Sequence, residues 1–466
     1  MRLRLRSPRQ LARQLLTVAR RDHEQVADLI DANREAWEAL VDATPNDAAD
    51  IIEQLAETDA AQLLSDLPAS QAAEILEEIA PELAVELLEQ YPLAELAAAL
   101  NEMPSEAAAD LIGELDDEAT EDVLAAMSDD AEDEVRGLLS YPPDTAGGLM
   151  TTEIAALPLG LTTGEAIERI RQLREEYEDL SYVYVVDDED HLKGVISFRD
   201  LVFRRPGAPL ADVMVADPIS VGTLIDREEV AELAQRYHLF GIPVVDEHEH
   251  LVGMVTTDAV IEAIQDEASE DFAAAVGAGI AETVYTGVTI SFRVRVPWLG
   301  VNLLLALVVA LVIEAQTGII RSEPVLAALM PIVALLGGNG GNQSLAVMIR
   351  SLASDGVPTA QVRGILARQT GVGVLNGLAI GFLSGVVCWL LIEAGIFKSE
   401  EPLQVAMVVS VSACVVLIVG ALAGSGIPVI LRTLGLDPAL ASSIFLTLIT
   451  DTVGFGGFLL LASALI

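Results

Sequence analysis

The stretch of sequence that decides the fold lies at the carboxyl end, where residues 438–466 read PALASSIFLTLITDTVGFGGFLLLASALI. It contains one charged side chain, Asp451, with 13 uncharged residues before it and 15 after it. A helix of about 20 mostly apolar residues is long enough to cross the hydrocarbon of a bilayer. The stretch therefore predicts a membrane-spanning helix that carries a carboxylate near its middle.

Four more apolar spans precede it, at residues 296–313, 324–349, 369–392 and 402–431. Basic residues between the spans set the orientation, because short cytosolic loops are enriched in Lys and Arg. With the amino terminus inside, six arginines are cytosolic and two basic residues are outside: Arg293, Arg295, Arg350, Arg363, Arg368 and Arg432 against Arg321 and Lys398. We predict a multi-pass protein of the cell (inner) membrane, with its soluble part in the cytosol and its carboxyl terminus outside.

The charge of the chain is concentrated in the part before these spans. The net charge is −45, and residues 1–287 hold 63 acidic against 18 basic side chains, whereas residues 288–466 hold 8 of each. Lysine occurs only at Lys193 and Lys398, which favours adaptation to a salt-rich cytoplasm as the main source of the acidity. Only the position of particular carboxylates can therefore indicate metal binding. We expect no nucleic-acid partner.

Residues 47–139 repeat loosely every 11–13 residues, and each unit opens with Pro or Asp before a short apolar-periodic run. Proline is favoured in the first turn of a helix, and short amphipathic helices bury their apolar stripes by stacking on their neighbours. The pattern predicts a helical solenoid whose units open at Pro45, Pro68, Pro81, Pro92, Pro104, Asp116 and Asp129.

An α/β duplication follows the solenoid. The runs at 182–186 and 242–245 are rich in β-branched residues, and each precedes an acidic turn and a second short strand, at 191–200 and 250–258. The two copies are about 59 residues apart. Residues 262–287 then predict one long helix that links the soluble part to the spans.

Two features could handle an ion inside the membrane. Asp451 is costly at mid-bilayer, by about 2.5–3.5 kcal/mol on insertion scales, and such a residue normally marks an ion path; a hydrogen bond between helices is the alternative. The second span contains Leu336-Gly-Gly-Asn-Gly-Gly-Asn-Gln-Ser344. Its amides and carbonyls suit the waters of hydrated Mg²⁺, while a small-residue packing seam is the alternative.

Four motifs in one order closely resemble the MgtE magnesium channels: Asp144-Thr-Ala-Gly-Gly-Leu-Met150, the paired strand units, Gly337–Ser344 and Asp437-Pro-Ala-Leu-Ala with Asp451. The resemblance implies a multidomain homodimer with an α-helical solenoid, an α/β pair of CBS domains and an all-α transmembrane domain of five helices. The implied boundaries are 1–141 for the solenoid, 142–206 and 207–261 for the CBS domains, 262–290 for a connecting "plug" helix and 291–466 for the pore domain.

The resemblance also implies site residues. Asp451 matches the family's pore aspartate, and the polar stretch of the second span matches its pore lining, with Gly338, Asn339, Gly341, Asn342 and Gln343 as candidates. Mg²⁺ sensor carboxylates match Asp217, Asp226, Asp258, Glu262, Asp266, Glu267, Glu270 and Asp271. Sensor residues in the solenoid cannot be placed, because the repeats allow several registers.

The same resemblance implies ATP as a modulator bound to the CBS pair. The phosphate and ribose signature is complete in the first repeat, at Ser197 and Asp200, and shortened in the second, at Thr256 and Asp258. This departure leaves ATP binding open.

The function implied is a Mg²⁺-selective channel gated by cytosolic Mg²⁺. Three alternatives remain open: a channel or carrier for Co²⁺ or Mn²⁺, a proton-coupled transporter that uses Asp451 as a relay, and a sensor that transports nothing. We expect no enzymatic activity, because the sequence shows no P-loop, no nucleophile–base constellation and no transition-metal ligand spacing.

Overall fold

The computed structural model of the chain describes residues 8–19, 26, 29–30, 32–79, 81–88, 90–172, 181–279, 282, 286–355, 359–440 and 442–466. These residues form two compact units, Met1–Gln265 and Asp266–Ile466.

Short helices make up the first part of the first unit. Helices begin at or directly after every Pro or Asp that the sequence marked as a start, so these predictions are confirmed. The described helices are α1 (Pro8–Ala19), α2 (Arg34–Val41), α3 (Pro45–Ile52), α4 (Glu57–Ser65), α5 (Ala69–Glu78), α6 (Pro81–Leu88), α7 (Leu93–Leu100), α8 (Ser105–Gly113), α9 (Asp117–Leu124) and α10 (Asp129–Leu139).

These helices stack as a solenoid, in which helices two apart along the chain pack on each other, for example α3 on α5 and α5 on α7. Each of them presents one apolar stripe to the shared core. Ile51 and Ile52 of α3 and Ile75 of α5 have no solvent-accessible surface. An isolated helix of eight to ten residues is unstable in water, so the stacking supplies the stability of the solenoid.

The α/β duplication forms two small sheets with matching registers. In the first sheet Tyr182 pairs with Ser197, and in the second Gly241 pairs with Thr256, each 59 residues later. The sheets contain β1 (Ala156–Pro158), β2 (Tyr182–Val186), β3 (Leu192–Ser197) and β4 (Val215–Ala216), then β5 (Val221–Gly222), β6 (Gly241–Val245) and β7 (Leu251–Thr256). Their helices are α11 (Thr163–Gln172), α12 (Phe198–Phe203), α13 (Leu210–Val213) and α14 (Arg227–Tyr237).

The two repeats differ in how their cores connect to the solenoid. Buried residues of the second repeat, such as Ile242 and Val255, belong to the same hydrophobic core as the solenoid helices, whereas the first repeat has a core of its own. The segment between solenoid and sheets makes this connection: Thr145 pairs with Asp226, and Thr151 pairs with Met254.

The helix that follows β7 is shorter than predicted. It is α15, Thr257–Val276, and it crosses the division between the two units. The prediction of one helix from 262 through 287, within a connecting segment 262–290, is wrong at both ends. Gly277 adopts φ +73°, and the amide of Ala278 bonds the carbonyl of Ala273, which is a Schellman helix end that glycine favours. Residues 280, 281 and 283–285 of this segment lie outside the described residues.

Five described helical segments of the second unit are long and apolar enough to cross a membrane, as predicted. They are α16 (Val288–Glu314), α18 (Val325–Asp355), α19 (Thr359–Glu393), α20 (Pro402–Thr433) and a last segment made of α21 (Ser442–Asp451), a π-helical stretch (Thr452–Gly457) and α22 (Phe458–Leu465). A short helix, α17 (Thr317–Ser322), which the sequence did not predict, lies between the first two.

Glycines bring α18 and α20 into backbone contact. Gly337 and Gly341 on α18 meet Gly420 and Gly424 on α20, and a Cβ atom added to Gly420 would lie 2.6 Å from the carbonyl oxygen of Gly337. Both pairs have the four-residue spacing that lets membrane helices approach closely. α18 remains helical throughout, so close packing, and not an opening of the helix, explains its glycines.

We call the contact of Gly337 and Gly341 with Gly420 and Gly424 the glycine seam. A methyl group added at the glycine seam should destabilise the second unit. We expect Gly424→Ala to cost about 1–3 kcal/mol, as overpacking in cores does, because the added Cβ would overlap the backbone of Gly341. Gly426→Ala is the matched control, since nothing lies within 4 Å of its Cβ position. Thermal unfolding of the detergent-solubilised chain measures both, and equal melting temperatures would contradict the packing described.

Candidate functional site

Asp451 ends helix α21 within the last membrane-length segment and is half-buried. No side chain or backbone group among the described residues forms a hydrogen bond or ion pair with its carboxylate. The neighbouring Thr450 is fully buried, and its hydroxyl donates to the carbonyls of Leu446 and Thr447 in its own helix. The alternative of a helix-to-helix hydrogen bond through Asp451 therefore finds no partner in the described part of the chain.

A π-helical stretch, Thr452–Gly457, begins directly after Asp451. Two of its glycines pack closely: a Cβ at Gly454 would lie 3.0 Å from the Cα of Ala334, and one at Gly456 would lie 2.8 Å from a methyl of Val312. π-helical turns are rare in proteins overall, but those that occur are often located at functional sites. The sequence analysis missed this feature, for which the glycine-rich run after Asp451 is the only signal.

The last segment packs along α18, so its aspartate lies beside the polar stretch. Leu446 packs at Gly341 and Thr450 faces Gly338, with its hydroxyl 4.0 Å from the Cβ position of that glycine. Asn342 lies four residues, about one turn, beyond Gly338 on the same face of α18. The structure thus places Thr450, the residue before Asp451, next to Gly338 and about one turn from Asn342 along α18.

The predicted pore residues of α18 have different surroundings. Gly341 is buried against Leu446 and the Gly420 backbone, which gives it a packing role. Asn339 and Asn342 are exposed on the surface of the single chain. Gln343 is also exposed but lines a cavity of about 210 Å³ between α18, α19 and α20, which includes Gln369 and Asn376 and no residue of α21. Gln343 is therefore not brought together with Asp451.

Three predicted sensor residues of the CBS pair are exposed and lie at element ends. Asp226 is the N-cap of α14 and accepts the backbone N–H of Glu228 at 2.9 Å. Asp217 follows β4 with φ +54°, and Asp258 lies in the first turn of α15. Asp266, Glu267, Glu270 and Asp271 follow along α15 within the second unit. Helix capping and turn formation account for Asp226 and Asp217 without a metal ion, so their sensor role stays a prediction.

A cluster of four carboxylates lies between the solenoid and the start of α15. Burial of its carboxyl and the charges of Glu262, Glu106 and Glu114 raise the pKa of Asp110 to about 7, although the residue keeps contact with solvent. Glu106, Asp110 and Glu114 recur every four residues along and just after α8, so they share one face. That spacing is visible in the sequence, and the charge of the predicted sensor residue Glu262 also acts on Asp110.

The residues of the nucleotide signature cap helices. The Ser197 hydroxyl donates to the Asp200 carboxylate at 2.8 Å and accepts the Asp200 N–H at 3.1 Å, at the start of α12. At the matching place in the second repeat, Thr256 accepts the N–H of Ala259 at 3.2 Å. These contacts explain the residue types by local structure, so ATP binding stays a prediction.

A solenoid and an α/β pair are followed by five helical segments long enough to cross a membrane, and the last of these carries a carboxylate with no partner among the described residues. These features define a polytopic membrane protein. Comparison with known proteins agrees. A family model described as a divalent cation transporter matches residues 330–461, one for the MgtE intracellular N domain matches 43–144, and one for CBS domains matches 146–207 and 210–266.

Similar proteins extend the match over most of the chain. The magnesium transporter MgtE of Thermus thermophilus is 35% identical over 332 residues, which are 71% of this chain and 72% of that protein. The MgtE of Bacillus subtilis is 32% identical over 329 residues, 71% of each. The crystal structure of the soluble part of a magnesium transporter covers 56% of this chain and all of that one, with 31% identity and a TM-score of 0.49. The chain belongs to the MgtE family.

The carboxylate cluster predicts a pH-dependent stability. The pKa of Asp110 is raised from its ordinary value of 3.8 to about 7, so the folded chain binds the proton more tightly than the unfolded one. This contribution is complete below pH 4 and is lost as the pH rises to 7. Without Mg²⁺, Asp110→Asn should therefore raise the melting temperature at pH 8 and leave it unchanged at pH 4.

The matched control is Asp122→Asn, an exposed aspartate on α9. Thermal unfolding of the full chain between pH 4 and 8 measures both variants. A pH profile of Asp110→Asn that runs parallel to that of the parent chain would contradict the repulsion described.

Proposed function

We propose that this protein conducts Mg²⁺ across the cell membrane and that Asp451 attracts the ion inside the pathway. The supporting observation is a carboxylate in the middle of the last span that has no hydrogen-bonding or ionic partner among the described residues. A charge there is costly unless water or a cation reaches it. Mg²⁺ keeps most of its waters when bound, so one carboxylate with neutral amides suits a hydrated ion.

The proposed pathway needs a second copy of the chain. Asn339 and Asn342 are exposed in the single chain, and Asp451 is only half-buried. Polar side chains in the hydrocarbon face a cavity or another helix and not lipid. A homodimer that joins these surfaces would enclose a polar route with one Asp451 from each subunit. We propose this assembly, with the amino-terminal part in the cytosol and the carboxyl terminus outside, as the basic residues of the loops favour.

We further propose that cytosolic Mg²⁺ closes the channel through carboxylate clusters. Burial of the Asp110 carboxyl, followed by the negative charges of Glu262, Glu106 and Glu114, raises the pKa of Asp110, so like-charge repulsion among these groups is part of the cause. Oxygen ligands of this kind bind Mg²⁺. An ion that bridges these carboxylates favours an arrangement in which they lie close together. Helix α15 continues from this cluster into the unit that contains the membrane-spanning helices. Such a switch requires tighter Mg²⁺ binding to the closed state than to the open one.

Transport should depend on the charge of Asp451. We expect Asp451→Asn to lower Mg²⁺ uptake into liposomes by at least about tenfold, which corresponds to 1.4 kcal/mol. Asparagine keeps the size and shape of the side chain and removes its negative charge, so the change tests the charge with little effect on packing. Uptake is followed with a fluorescent Mg²⁺ indicator, at low internal Mg²⁺.

The control is Glu393→Gln, an exposed acid at the end of α19, which should leave uptake unchanged. Full uptake by Asp451→Asn would refute the proposed role. The same assay separates the alternatives: uptake driven by a pH gradient without a divalent-cation gradient would indicate a proton-coupled carrier, and a preference for Co²⁺ or Mn²⁺ would indicate another cargo.

Gating is tested by limited proteolysis of the full chain. Millimolar Mg²⁺ should protect the soluble unit, whereas molar KCl should not, because screening to about 3 Å removes repulsion without bridging the carboxylates. The double variant Asp110→Asn, Glu262→Gln should be equally protected with and without Mg²⁺. Equal protection of the parent chain by Mg²⁺ and by KCl would show that screening alone closes the structure and would defeat the bridging mechanism.

A further inference from the structure

A cluster of imidazole and carboxylate groups lies at the turn between β6 and β7, a position that none of the predicted sensor residues occupies. Asp246, His248 and His250 each offer one ligand atom, and these atoms lie within 4.8 Å of one another. It is the one such group of three or more potential ligands found among the described residues. The chain has five histidines, and three of them, including His191, gather at this place.

The turn itself holds the carboxylate in position. Oδ1 of Asp246 accepts the backbone N–H groups of His248 and His250 at 2.8 and 2.9 Å, so Oδ2 is directed towards the rings. Oδ2 lies 2.9 Å from Nδ1 of His250 and 3.9 Å from Nδ1 of His248. The contact with His250 and the two backbone N–H groups together fix the orientation of the Asp246 carboxylate.

The first repeat provides an internal comparison, because its turn has the same backbone hydrogen bonds to an aspartate but different side chains around the carboxylate. Asp187 likewise accepts the N–H groups of Glu189 and His191, both at 3.0 Å. However, Lys193 lies 3.0 Å from the Asp187 carboxylate and neutralises it. The turn therefore requires the aspartate but not a second imidazole. In the first repeat the ammonium group of Lys193 is the cation that pairs with the aspartate.

The second repeat lacks that cation. The residue 59 positions after Lys193 is Val252, and the residue 59 positions after Glu189 is His248. The lysine is thus replaced by an apolar side chain and the glutamate by an imidazole. The change leaves Asp246 with two imidazoles and no resident ammonium. Turn formation explains neither substitution.

We propose that Asp246, His248 and His250 form a binding site for a divalent transition-metal ion of the Zn²⁺, Co²⁺ or Ni²⁺ class. Imidazole and carboxylate ligands suit these ions, whereas Mg²⁺ takes oxygen ligands. Ligands at about 2.1 Å from a tetrahedral metal are about 3.4 Å apart, so the exposed His248 ring moves inward by about 1 Å and water completes the shell. The site is separate from the ion pathway and does not depend on the proposed transport.

The site lies where the two repeats meet, which gives binding a structural effect. The His250 ring stacks on His191 of the first repeat with centroids 4.8 Å apart, and the amide of Leu251 bonds the carbonyl of Asp190 at 3.0 Å. Asp246 and His250 also line a cleft of about 390 Å³ together with Glu189 and Asp190. A metal ion on His250 therefore fixes the ring that joins the repeats and stabilises their pairing.

Cobalt spectroscopy on the untagged full chain in detergent tests the proposal. With Mg²⁺ in millimolar excess to fill oxygen sites, Co²⁺ titration should give one visible d–d absorption per chain, with a dissociation constant of about micromolar order. His248→Gln and His250→Gln should each weaken binding by at least about tenfold. Val252→Lys, which copies the ammonium of the first repeat, should also abolish binding while leaving all three ligands in place.

The control is His238→Asn, an exposed residue at the end of α14 with φ +55°, a conformation that asparagine tolerates. It should bind Co²⁺ like the parent chain. Absence of the Co²⁺ absorption in the parent chain overturns the proposal. Undiminished Co²⁺ binding in His248→Gln and His250→Gln overturns it as well. Binding that survives in Val252→Lys refutes the inference that the second repeat binds a metal ion because it lacks the ammonium of the first.

Discussion

The membrane part of this protein is organised around one carboxylate in the middle of its last membrane-spanning segment. Asp451 has no partner among the described residues, and a charge in hydrocarbon is costly unless water, a cation or another polar group reaches it. Two features hold the segment that carries it. The glycine seam fixes α18 against α20, and Leu446 of the last segment packs on α18 at Gly341 of this seam. Glycines of the π-helical stretch fix the last segment against α16 and α18. Close backbone packing thus sets the position of the charge without using a polar side chain to bind it.

The soluble part handles like charge in a different way. In the solenoid, Glu106, Asp110 and Glu114 repeat along one face, and burial of the Asp110 carboxyl together with the charges of Glu262, Glu106 and Glu114 raises the pKa of Asp110. At the turns of the α/β pair, backbone N–H groups and a lysine or imidazole offset each aspartate. The first arrangement stores repulsion that a cation can relieve, whereas the second holds its carboxylates in a fixed geometry. The same acidic composition therefore serves two purposes in two places.

Much of this architecture follows from sequence, because its determinants are local. Proline and aspartate mark the starts of the solenoid helices, alternating β-branched runs mark the strands, and the apolar spans give the five membrane-length segments. The end of α15 was missed although Gly277 marks it, since the alanine-rich run after Asp271 continues a helical composition. The approach of Asp110 to Glu262 depends on packing across about 150 residues of chain, and the π-helical stretch depends on contacts with neighbouring helices. The spacing of the acidic residues on α8 and the glycines after Asp451 are local signals, but neither predicts the partner elements that these features contact.

The continuous hydrophobic core of the solenoid and the second repeat has a consequence for how the soluble unit opens. Segments that share one buried core exchange their amide hydrogens together, since exposing one part removes apolar contacts of the other. The second repeat and the solenoid should thus behave as one cooperative folding unit. The first repeat, with its smaller separate core, can open at a lower free energy while the rest stays folded. The two repeats thus have matching strand registers but differ in the free energy of local opening. The second repeat unfolds together with the solenoid, whereas the first repeat can open alone.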